Sequence, residues 1–80
     1  MLTNERLKTA LRKYPGGIDV VEVVGQPQLV ATVISGSFEG QDEAVRQESV
    51  WAHLEKELSE DELQQIEFIF TDTPAERAAS

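Results

Sequence analysis

Two runs rich in β-branched residues, Ile18 to Val24 and Leu29 to Ser35, are separated only by Gly25, Gln26, Pro27 and Gln28. Branched side chains suit a pleated surface, and so short a link leaves no room for a crossover. The two strands therefore pair antiparallel, and the fold must be built around that hairpin. The second run, "LVATVIS", is apolar at nearly every position, which places it centrally in the sheet. The chain has 80 residues and no cysteine, so no disulfide can staple it. A domain of that size buries a modest share of its surface, and its stability must come from well-packed apolar faces or a partner chain.

The remaining segments supply those faces. Leu7, Ala10, Leu11 and Tyr14 recur at i, i+3, i+4 and i+7, the stripe of an amphipathic helix. Thr3 or Asn4 can cap it, and Pro15 to Gly17 stop it. After "GSFEG", Asp42 and Glu43 enrich the first turn of a second helix, where carboxylates complement the positive end of the helix dipole. Val50, Trp51, Leu54 and Leu58 form its apolar stripe, with Trp51 expected in the core or at its edge. "SEDE" at Ser59 to Glu62 fits a capping box, so a short third helix starts there. In "QIEFIFT", Ile66, Phe68 and Phe70 alternate with Glu67, so these three are expected on the buried face of a third strand; Ile69 is the exception and suggests helix or loop cover on the second face too. The chain beyond Pro74 is expected to fray, leaving one domain over residues 1–76 and a tail over 77–80. Helices on one face of three strands make an α+β, two-layer domain.

Charge narrows the functions. The formal net charge is −8. Residues 1–14 carry Arg6, Lys8, Arg12 and Lys13 against Glu5, whereas residues 38–64 carry nine acids against Arg46 and Lys56. An acidic surface repels phosphate backbones, so nucleic acid is a poor partner for the middle of the chain, and the first helix reads as a solvated face. His53, the sole histidine, has no recognisable catalytic partner and is expected as a half-exposed helix residue. The carboxylates are scattered along the helices, as on a solvated face, and neither a calcium loop nor a phosphate-binding glycine motif is present. No catalytic residue, metal site or cofactor is expected. Nothing approaches a membrane-spanning run, and the expected compartment is the cytoplasm.

The stretch "VATVISGSFEGQDEAVRQESVWAHLEKEL" resembles the BolA family, which typically shows a strand, Phe-x-Gly, five residues, an Arg-His pair, an apolar residue and a leucine four positions on. Phe38, Gly40, Arg46, Val50 and Leu54 stand at those places. "TDTPAE" at Thr71 to Glu76 is similar to the family's Thr-x-Thr-Pro-x-Glu ending. The resemblance spans roughly residues 1–76. It implies a KH-like fold, order αββααβ, with a three-stranded mixed sheet. It also implies a monothiol glutaredoxin as partner, through a shared two-iron two-sulfur cluster.

This chain departs from that pattern where the metal chemistry lies. Gln47 stands where the family has histidine after the arginine. The family's second histidine, at the start of the last strand, matches Glu67 or Gln65, depending on the count. The loop between the first two strands has neither histidine nor cysteine. Iron–sulfur clusters need thiolate or imidazole donors, so the chain is not expected to ligate one in its relatives' manner. The expectation is a small, non-enzymatic domain that binds another protein, with Phe38, Gly40, Arg46, Gln47 and Glu67 as partner-binding candidates. Arg46 amid acids reads equally as a local ion pair. The alternatives are a KH-like nucleic-acid-binding regulator, though "GSFEG" is not the Gly-x-x-Gly clamp, and an enzyme using carboxylates with a metal.

Overall fold

The computed structural model describes residues 1–79. The chain forms α1 (Asn4–Arg12), β1 (Val20–Val24), β2 (Leu29–Ile34), a single 3₁₀ turn (Gly36–Phe38), α2 (Glu43–Glu57), α3 (Glu60–Leu63), β3 (Ile66–Asp72) and α4 (Pro74–Ala79). The order αββααβ is the expected one, with α4 appended. The sheet runs β1-β2-β3, with β1 and β2 antiparallel and β2 and β3 parallel. The mixed sheet follows from the links: four residues permit only a hairpin, whereas α2 and α3 provide the long crossover that a parallel pair needs. Gly25 closes the hairpin at φ +103°, where a side chain would meet the Gln28 carbonyl oxygen.

The core lies between the sheet and α1 and α2. Thr3 caps α1 by accepting a hydrogen bond from Arg6 N. Leu7, Ala10 and Leu11 are buried, as their spacing predicts. They meet Leu29, Ala31 and Val33 of β2, and Val50 and Leu54 of α2. Leu7, Leu11, Leu29 and Leu54 are at most 1% exposed, and each such side chain contributes about 2 kcal/mol by leaving water. Trp51 packs at the edge of this cluster. Ser59 and Glu62 form the expected capping box at α3. No helix among the described residues is long and apolar enough to cross a membrane.

Two expectations are corrected. The face of β3 is the first. Ile66, Ile69 and Thr71 are buried, while Phe68 and Phe70 are 49% and 52% exposed. Leu29 pairs with Ile66, but the next residue, Val30, pairs with Phe68. Glu67 is thus an extra, bulged residue, and one extra residue reverses which face every later side chain occupies. The second is the end of the chain, which is helical over Pro74–Ala79 where fraying is expected; Ser80 lies outside the described residues. Thr73 Oγ1 accepts from Glu76 N at 3.0 Å, and Glu76 Oε1 accepts from Thr73 N at 2.9 Å. This is a capping box with proline at the first helical position.

Candidate functional site

The Phe-x-Gly…Arg segment folds into an internal clamp. Phe38 is fully buried, against Tyr14 with ring centroids 5.9 Å apart and under the Arg46 guanidinium at 5.8 Å. Gly40, at φ +79°, turns the chain out of the 3₁₀ segment, and Asp42 caps α2 by accepting from Val45 N at 2.9 Å. Arg46, one turn into α2, is 6% exposed. Its Nε donates to Gln41 O at 2.9 Å and its Nη1 to Thr71 O at 3.2 Å. Nη1 and Nη2 also grip the Glu76 carboxylate at 2.7 and 3.0 Å, the bidentate geometry a guanidinium fork favours. Arg46 is therefore an ion pair, as one reading has it, but a buried one: beside the local Glu43 at 3.7 Å, its bidentate partner Glu76 lies 30 residues along the chain. A partner protein has no access to the Phe38 ring and little to Arg46.

Gln47 completes the clamp. Its Nε2 donates to Ile69 O at 2.7 Å, and its Oε1 accepts from Trp51 Nε1 at 3.1 Å. Arg46 and Gln47 thus satisfy Thr71 O and Ile69 O, carbonyls on the outer side of β3. They close the strand edge that would otherwise be open to another chain. Of the five candidate residues, only Gly40 and Glu67 lie exposed.

Hydrogen bonds from the Arg46 guanidinium, reinforced by Thr73 N, pull the Glu76 carboxyl from its ordinary 4.5 down to about 2. Arg6, with help from Ser59 N, does the same to Glu62, also to about 2. Carboxyls held below their unfolded values stabilise the fold fully above pH 4.5, and that contribution disappears as pH falls towards 2. Solvent screening weakens both contributions. The urea midpoint is expected to fall through this window, and to fall less in a Glu62→Gln/Glu76→Gln chain; equal pH profiles for the two would contradict the assignment.

His53 is buried, not half-exposed as expected. Its Nε2 lies 2.7 Å from Ala10 O, so it carries the proton and donates, and its ring meets Tyr14 edge-on at 5.7 Å. The imidazole ties α2 to α1. Tyr14 in turn exchanges a 2.7 Å hydrogen bond with Ser49 Oγ.

No protein-family model and no curated protein sequence matches the chain. Its structure does match a solved one, the crystal structure of a Bol-like protein from Babesia bovis. The TM-score is 0.72 at 22% sequence identity, over 99% of this chain and 93% of that one. The chain has a BolA-like fold. Within it, the residues do not fit the cluster that the resemblance implies. Both ends of the Gln47 amide are engaged inside the fold, the bulged Glu67 offers a hard carboxylate, and the imidazole is turned to Ala10. Among the described residues no three His, Cys, Asp or Glu side chains group as a metal site.

The feature that sequence reasoning missed is the second side of the sheet, where cover is expected. Ile34 is 6% exposed there, near the Arg77 pairs to Glu22 and Asp72, but the rest lies open. Val20 and Val24 of β1 stand there with Phe68 and Phe70 of β3. A cleft of about 490 Å³ beside the two rings is lined by Asp42, Glu43, Asp72 and Glu76. The only signal in the sequence is the surplus of apolar residues in β3, where Ile69 breaks the alternation.

Proposed function

We propose that this chain is a protein-interaction domain with a BolA-like fold, without enzymatic chemistry and without a cluster ligand of its own. The observation that carries this reading is the exposure of Phe68 and Phe70, half in solvent on a sheet face that α1 and α2 leave uncovered. Contiguous exposed apolar side chains rimmed by polar ones mark interaction surfaces. The carboxylates beside the rings disfavour a phosphate backbone, so the surface suits a protein over a nucleic acid.

The resemblance points to a monothiol glutaredoxin as one partner class. Such binding would run through protein contacts and not through a shared cluster. Mixing the chain with a monothiol glutaredoxin, ferrous iron and sulfide is expected to give no visible absorbance or circular dichroism beyond that of the glutaredoxin alone. A new spectrum that requires this chain and disappears with Glu67→Gln would contradict the cluster-free reading.

A further inference from the structure

We propose that the open face of the sheet is the docking site for a cationic amphipathic helix of another protein; this rests on the protein-interaction reading above and specifies its partner. The face is apolar by construction. Val20, Val24, Phe68 and Phe70 are 45–63% exposed on it, and the Glu67 bulge is what turns both rings outward. The rings brace each other edge-on at 4.7 Å, which presents them as a rigid pair with little conformational entropy to lose on binding.

Charge decides what covers this face. Asp42, Glu43, Asp72 and Glu76 line the cleft beside the rings, and Glu22 stands on β1 across the face. The guanidiniums on this side are already committed: Arg46 to Glu76 and, at 3.7 Å, to Glu43, and Arg77 to Glu22 and Asp72 at 3.5 and 4.0 Å. Carboxylates remain in excess. Lysine and arginine stems lie along apolar surface while their heads reach carboxylates at its rim. The Gln41 amide oxygen, also in the cleft lining, is buried without a hydrogen-bond partner among the described residues, and can only accept from a donor. A second copy of the chain would bring a like-charged face, which is repelled.

A helix suits this face better than an added strand, which would pair along a sheet edge and leave the two rings uncovered. Along β3 the outward carbonyls of Ile69 and Thr71 are held by Gln47 and Arg46, so that edge offers little to pair with. A helix on the bare face makes a third layer over a sheet already covered on its other side. A helix of about 14 residues, about 21 Å long, spans three strands with room to spare.

The test is an amide-shift titration of the ¹⁵N-labelled chain with an amphipathic Leu/Lys peptide of about that length, beside the same peptide with Glu for Lys. Shifts centred on Val24, Val30, Phe68 and Phe70 are expected, with the Lys peptide binding at least about tenfold more tightly. Affinity is expected to fall about tenfold in two variants with unchanged melting: Phe68→Ser/Phe70→Ser, and Asp42→Asn/Asp72→Asn, in which asparagine still caps α2. Equal binding of the Glu peptide, shifts confined to the α1–α2 side, or self-association through this face would overturn the proposal. Crosslinking in the source lysate separates the two readings. A protein captured by the wild-type chain and lost with Phe70→Ser, without preference for the Lys peptide, leaves the interaction reading standing and sinks this one. Absence of both sinks both.

Discussion

Arg46→Ala is expected to lower the unfolding free energy by about 3 kcal/mol. The change strands two backbone carbonyls, Gln41 O and Thr71 O, and removes the bidentate grip on Glu76. Hydrogen bonds to a charged group are worth about 1.5–3 kcal/mol each, and breaking a buried pair from one side costs about 3–5 kcal/mol. The lower end applies, because the Glu76 side chain is 49% exposed and regains water. A domain of this size holds about 4–12 kcal/mol in total, so the variant is expected to fold still, with about 1–9 kcal/mol left and a clearly lowered urea midpoint. Lysine does not rescue it, since an ammonium lacks the planar fork that reaches Glu76 and two carbonyls together. Urea unfolding of wild type, Arg46→Ala and Arg46→Lys measures this, and a loss below about 1 kcal/mol would contradict the clamp.

Phe38→Ala is expected to cost about 4 kcal/mol, and Phe38→Leu about 1–2 kcal/mol, by loss of buried surface and creation of a cavity. The ring is fully buried between Tyr14 and the Arg46 guanidinium. Thermal melts of the two variants should order as wild type, leucine, alanine. An alanine variant that melts with wild type would mean that the aromatic at this position serves something other than the fold.

Much of the architecture was legible in the sequence, because it is set by local chemistry. The four-residue link forces the hairpin, the spacing of Leu7, Leu11, Val50 and Leu54 sets which helix faces are buried, and Ser59 with Glu62 marks α3. The same kind of signal marks α4, in Thr73, Pro74 and Glu76, though it is easily taken for the end of the fold. The orientation of β3 was not legible. A period of two assigns Phe68 and Phe70 to the core, and only the pairing with β2 reveals that Glu67 is extra. His53 escaped for a related reason: its position on α2 says nothing of the Ala10 carbonyl that α1 brings to it. The candidate site moved accordingly. Phe38, Arg46 and Gln47 point inward, and the exposed surface of consequence is one that alternation hides.

The BolA-like segment from Phe38 to Gln47 is turned into the fold, and the open sheet face is the surface proposed to bind. Comparing Phe38→Leu with Phe70→Ser tests this most directly, each measured for melting temperature and for affinity to the Leu/Lys peptide. Phe38→Leu is expected to melt earlier yet bind as wild type, and Phe70→Ser to melt as wild type yet bind about threefold more weakly. The reverse pattern, with binding lost in Phe38→Leu and kept in Phe70→Ser, would contradict it.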